Sequence, residues 1–216
     1  FDSLKPLENK FTVIDFKILR YSYLKIILLS LNENYFIIAH RGGGRNSDLL
    51  PFSENSINLI RFSEYIGANA VEIDIKLTSD GIPILYHDTD FNSRLIGNGT
   101  LIGPVESFSF TQIRTFAKLH DGSDIPTLRE ALQFIIDSTT LRFVWLDIKS
   151  VNAMRAIIPL QKEFTQKAKE KNKTNNKINK RFIAVKIRNL FVLQKAIQHS
   201  DKKKYQTSDK ALFSYS

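Results

Sequence analysis

The chain has 216 residues, 43% of them hydrophobic and 25% charged, which suits one folded domain and excludes a chain disordered throughout. Its 31 Lys+Arg against 22 Asp+Glu give a formal net charge of +9, favouring anionic partners: phosphate esters, membrane surfaces or nucleic acid. With no cysteine, disulfides and cysteine-ligated zinc are excluded, while the compartment stays open between cytoplasm and cell envelope or secretion.

Residues 1–35 read as an N-terminal extension. Within it, KILRYSYLKIILLSL places basic residues before a short apolar core at Ile26–Leu29, as in a helix packed on the domain or a targeting remnant. The helix is the plainer reading, and no apolar run reaches the roughly 18 residues of a membrane-spanning helix. A start at Phe1 rather than Met reads as a fragment or processed form.

FIIA at 36–39 is a buried strand that ends abruptly on His40, Arg41 and Gly42–Gly44. Helical spacing of Leu59, Ile60, Phe62 and Ile66 predicts a helix over Asn55–Ile66, stopped by Gly67. AVEIDIKL alternates as a strand, and IPILYHD follows after TSDG. Too few residues separate these two strands for a parallel crossover, so a hairpin is expected. A two-residue Asp80-Gly81 turn would pair Asp74 with His87.

Residues 90–125 are mixed and rich in Gly, Ser and Thr. IPTLREALQFIID predicts a helix opened by Pro126, and LRFVWLDIK a further alternating strand. QKAKEKNKTNNKINKR reads as a linker, RFIAVKI as a strand, NLFVLQKAIQ as a helix, and ALFSYS as the start of a sixth strand. Strands alternating with helices point to an α/β fold with a largely parallel sheet.

Strand periodicity puts Glu72 and Asp74 on one face and Val71, Ile73 and Ile75 on the other. Two carboxylates side by side suit a hard divalent cation such as Mg²⁺ or Ca²⁺, or else a pair of solvated acids on an edge strand. Spacing alone does not choose between them. Phe143, Trp145, Asp147 and Lys149 likewise share a face, and an Asp and a Lys at the end of an apolar strand are costly unless paired or functional. His40, Arg41, His87, Asp147 and Lys149 all fall at strand ends, where barrel enzymes hold their active sites. Arg41 offers a planar fork for phosphate oxygens, and the glycines let backbone approach a ligand.

AHRGG at 39–43, SEN at 53–55, VEIDIKLTSDGIPILYHD at 71–88, IPTL at 125–128 and LDIK at 146–149 occur together in order. In this set the chain resembles the glycerophosphodiester phosphodiesterase family, most strongly over 36–149. The resemblance implies a (β/α)₈ TIM-type barrel over 36–216, with a small insertion after the third strand. It implies a hydrolase of lipid and glycerol metabolism that cleaves small-molecule glycerophosphodiesters to glycerol 3-phosphate and an alcohol, using Mg²⁺ or Ca²⁺. The glycerol 2-hydroxyl would attack first, giving a cyclic phosphate that water then opens.

Carried over motif by motif, His40 and His87 would be the acid/base pair and Glu72, Asp74 and Asp147 the metal ligands. Arg41 and Lys149 would hold phosphate oxygens, with Glu54 and Asn55 supporting the site. Asp147 departs from the family's usual Glu. The span from Phe36 to Ser216 also falls short of the about 250 residues of a typical barrel, so the last strands are expected to be missing.

The competing expectations are a truncated, inactive module that binds phosphate and metal, and a related barrel phospholipase acting on lipids. Membrane contact would rest on Ile18–Leu31 alone. The basic stretch 162–181 reads as a solvated linker and not as a nucleic-acid surface. The oligomeric state is left open.

Overall fold

A computed structural model of the protein describes residues 10–14, 35–174 and 182–187. Its centre is a sheet of five parallel strands in the order β1 (Lys10–Ile14), β2 (Tyr35–Ala39), β3 (Ala70–Leu77), β9 (Phe143–Ile148) and β10 (Phe182–Ile187). A short strand, β4 (Pro83–Leu85), runs antiparallel along the end of β3. The helices that connect the parallel strands are α1 (Ile57–Tyr65), α3 (Leu128–Ser138) and α4 (Met154–Thr174). Among the described residues, no helix is long and apolar enough to cross a membrane.

Alternation along the strands sorts the core into two faces. Val71, Ile73, Ile75, Val144, Leu146 and Ile148 pack outward against Ile60 of α1, Leu132 and Ile135 of α3, and Ile157 and Phe164 of α4. On the inner face Phe36, Ile38, Ala70 and Phe143 form a small apolar layer with Trp145 against it. Glu72, Asp74 and Asp147 lie further along the same strands, toward their carboxyl ends. Burying the apolar positions on both faces is worth about 25 cal/mol per Å². It is this packing that holds the acidic positions in place.

The segment between β4 and α3 has a core of its own. Two ribbons, β5 (Asp90–Phe91) with β7 (Gly103–Pro104) and β6 (Ile96–Gly99) with β8 (Ala117–Leu119), join a short helix, α2 (Phe110–Phe116). Tyr86, Phe91, Leu95, Val105, Ile113 and Ile125 are buried among them. The ends of the segment lie side by side, since Leu85 N–H donates to Pro126 O at 2.8 Å and Ile84 bridges Thr127.

Three expectations change. The hairpin pairs Ile75 with Leu85 and Leu77 with Pro83, so Asp74 lies opposite Tyr86 and not His87. A two-residue turn of the expected kind needs positive φ at both central residues. Here only Gly81 (φ +81) has it, and Ser79–Gly81 close a three-residue turn through Thr78 N–H to Ile82 O at 3.0 Å.

The expected linker at 166–181 is helical up to Thr174. Ile157, Phe164 and Ala168 are buried along one side of α4, while Lys162 and Lys169 are exposed. The sheet also starts before Phe36, because KFTVI, rich in β-formers, adds β1 alongside β2. The segment Ile18–Leu31, the helix expected at 189–198 and the strand expected at 211–216 lie outside the described residues.

Candidate active site

β2 ends at Ala39, and the chain turns through a tight helical bend at His40–Gly42. Arg41 sits in the left-handed region at φ 53, a conformation that costs a non-glycine residue about 1–3 kcal/mol. Two hydrogen bonds hold it there: its N–H donates to Glu72 Oε2 at 2.8 Å, and its C=O accepts from Asn55 N–H at 2.7 Å. The strain is spent on aiming the guanidinium inward. Nη1 donates to Glu54 Oε1 at 2.9 Å, Nη2 meets His87 Nε2 at 2.8 Å, and Nε lies 3.7 Å from Asp74 Oδ2.

Asn55, expected at the start of the helix, lies outside it at φ 59, and Ser56 caps α1 by accepting from Leu59 N–H at 3.0 Å. Left free of the helix, the Asn55 amide grips Asp74 twice. Its Nδ2 donates to Asp74 Oδ2 at 2.9 Å, and its Oδ1 accepts from the Asp74 N–H at 3.0 Å.

Pairing of β3 with β9 puts Asp74 beside Asp147, with Glu72 one step below on the same face. Glu72, Asp74 and Asp147 are buried, and each offers an oxygen within 4.8 Å of the others, a spacing that can hold a metal ion. Lys149 Nζ lies 2.7 Å from Asp147 Oδ2 and 3.0 Å from Asp74 Oδ1. One ammonium does not neutralise the group. Burial first, and then the charges of Asp74 and Asp147, push the Glu72 carboxyl from its ordinary 4.5 up to about 8. Asp147 Oδ1 is buried without a hydrogen-bond partner. An orphaned carboxylate oxygen in an acidic cluster is what a hard cation with oxygen ligands would satisfy, so the donor set fits a divalent ion.

The two histidines differ in setting. His40 Nε2 is 3.9 Å from Glu72 Oε2. His87 is held at both ring nitrogens: Nδ1 is 2.7 Å from Asp88 Oδ1, and Nε2 faces Arg41 Nη2. Arginine only donates, so Nε2 must accept, and the proton of a neutral ring belongs on Nδ1, donated to Asp88. Burial opposes ionisation of Asp88. Hydrogen bonds from Arg94, His87 and Asn92 outweigh it and hold the carboxyl well below the ordinary range.

Every residue that the sequence singled out for the site is gathered here: His40, Arg41, Glu54, Asn55, Glu72, Asp74, His87, Asp147 and Lys149. Two further residues join them. Asp88 carries the proton side of His87, and Arg94 reaches in from the insertion to Glu54 and Asp88. Asp88 was legible as the residue after His87, whereas nothing in the sequence joins Arg94 to Glu54. His120 is exposed and bonds Ser93 O at 2.9 Å, away from the site.

The model of the Glycerophosphoryl diester phosphodiesterase family matches residues 40–214. The chain belongs to this family. It is 34% identical over 150 residues to human glycerophosphodiester phosphodiesterase 1, an alignment covering 64% of this chain and 42% of that one. It is 32% identical over 120 residues to a glycerophosphodiester phosphodiesterase of Caldanaerobacter subterraneus, covering 53% and 45%. The chain thus spans less than half the length of these relatives.

Among solved structures, a glycerophosphodiester phosphodiesterase from Parabacteroides distasonis superposes with a TM-score of 0.56 at 22% identity, over 77% of this chain and 62% of that one. One from Thermotoga maritima gives 0.52 at 22% identity, over 80% and 65%. The fold is accordingly a TIM-type α/β barrel, of which the described residues form a part. The shortfall expected at its carboxyl end concerns residues beyond those described.

Proposed function

We propose that the chain is a metal-dependent phosphodiesterase that hydrolyses glycerophosphodiesters to glycerol 3-phosphate and an alcohol. The observation that carries this reading is the buried cluster Glu72, Asp74 and Asp147 on parallel strands, with His40, Arg41 and Lys149 beside it and His87 joined to it through Arg41. The family and the curated relatives support the same reaction class. The three carboxylates would hold Mg²⁺ or Ca²⁺, which supplies Lewis-acid charge to neutralise the phosphate and polarise a neighbouring hydroxyl.

The residues divide the remaining work. Arg41 and Lys149 bind phosphate oxygens, and Arg41 does so by exchanging its contact with His87 Nε2 for the ligand. That exchange frees Nε2 to take the proton from the glycerol 2-hydroxyl as it attacks phosphorus. His40 gives a proton to the departing alcohol. In the second half the histidines exchange roles, and water opens the cyclic phosphate. Glu54 anchors Arg41, and Asn55 fixes Asp74.

The test is release of glycerol 3-phosphate from glycerophosphocholine with Mg²⁺, Ca²⁺ or EDTA, run beside His40→Ala and His87→Ala. Metal-dependent product that each substitution lowers by at least about 100-fold is expected. No product from the folded chain with either ion would overturn the reading.

A further inference from the structure

The insertion reaches Glu54 and Asp88 through Arg94, with Asn92 beside it on Asp88. Arg94 lies between β5 and β6, and its backbone is pinned at both ends. Its N–H donates to Asn92 Oδ1 at 3.0 Å, and its C=O accepts from Asn46 Nδ2 at 2.9 Å. Nη1 and Nη2 donate to the two oxygens of Glu54 at 2.9 and 3.2 Å. Nε and Nη2 donate to the two oxygens of Asp88 at 2.9 and 2.6 Å.

With those contacts both carboxylates are filled. Glu54 also accepts from Arg41 Nη1 and the Asn46 N–H, and Asp88 also accepts from His87 Nδ1 and Asn92 Nδ2. A saturated carboxylate has no second arrangement to rotate into. Glu54 is nearly inaccessible, at 1% exposure.

We propose that Arg94 is a positioning residue, whose fork locks Glu54 and Asp88 so that Arg41 and His87 face each other with His87 Nε2 as the acceptor. The inference rests on the reading of His87 as the base. The charged groups around His87 are Arg41 after β2, Glu54 before α1, Asp74 of β3 behind Arg41, and Asp88 and Arg94 on its own side. Removing the Arg94 charge leaves Asp88 facing the imidazole with its main counter-charge gone, which favours the protonated ring. Lysine restores the charge without the planar fork, because it cannot bind two carboxylates edge-on.

The test compares Arg94→Met and Arg94→Lys in two readouts. In turnover of glycerophosphocholine, the acid limb of the kcat/KM profile moves to higher pH by about one unit in Arg94→Met and returns most of the way in Arg94→Lys. In ¹⁵N spectra of the metal-free protein, His87 changes from a single Nδ1–H form to a mixture in both variants. The spectra need no turnover, so they test the positioning even where the hydrolytic reading fails. An unmoved acid limb and an unchanged His87 signature in folded Arg94→Met would overturn the proposal, whatever its thermal stability. Where Arg94→Met does not fold, an unchanged signature in Arg94→Lys overturns it equally.

Discussion

Proton release on metal binding follows directly from the acidic cluster. In the metal-free protein, Glu72 titrates at about 8 because it is buried beside Asp74 and Asp147. At pH 7 it therefore keeps ~0.9 of a proton. A cation that takes all three carboxylates as ligands must displace that proton. Apparent affinity for Mg²⁺ or Ca²⁺ should then rise about tenfold per pH unit up to about 8 and level off above. Isothermal titration at pH 6.5, in buffers of different ionisation enthalpy, reads the proton directly as the slope of apparent enthalpy.

Stability gives the second half of the prediction. The folded-state pKa of Glu72 lies above its ordinary 4.5, so the folded protein binds the extra proton. In EDTA, stability falls as pH rises from about 4.5 to about 8 and is flat beyond. The full span is on the order of 5 kcal/mol. Glu72→Gln should remove that slope together with metal binding, since glutamine keeps an acceptor for the Arg41 N–H and carries no charge. A released-proton count near zero at pH 6.5, with affinity unchanged between pH 6 and 9, would refute the reasoning.

Asn55→Gly keeps the left-handed backbone and deletes the amide that grips Asp74. Metal affinity should drop about 10–100-fold by the same titration, and unchanged affinity would remove Asn55 from the site. Gly43→Ala places a Cβ 2.7 Å from the Cγ of buried Leu59, and should lower stability by about 1–3 kcal/mol in urea unfolding; an unchanged midpoint would mean that Leu59 yields freely. Ser56→Ala removes the oxygen that caps α1 and should cost about 1 kcal/mol in the same assay, with metal affinity held.

What could be read from the sequence follows from which forces are local. Alternation alone set Glu72, Asp74 and Asp147 on one face, because a strand leaves only two faces and Val71, Ile73, Val144 and Leu146 claim the other. The hairpin register was not legible in the same way, since Asp80-Gly81 serves two-residue and three-residue turns equally well. Only the backbone at Asp80 distinguishes them. The lysine-rich stretch read as a linker because its charges outnumber the spaced Phe164 and Ala168 that seat α4. Arg94 was out of reach for a different reason. Its partners Glu54 and Asp88 lie on separate segments, and only the folded insertion brings a guanidinium between them.

The closely spaced ends of the insertion have a consequence for engineering. Leu85 and Pro126 are joined by a backbone hydrogen bond, and the intervening segment buries apolar side chains of its own. Entry and exit at one point make this segment an exchangeable cassette, a loop whose length can change at little entropic cost to the barrel. A cassette from a relative should dock on this barrel and reshape the rim above the carboxylates. The condition is that it present an imidazole, a carboxylate and a guanidinium where His87, Asp88 and Arg94 now stand.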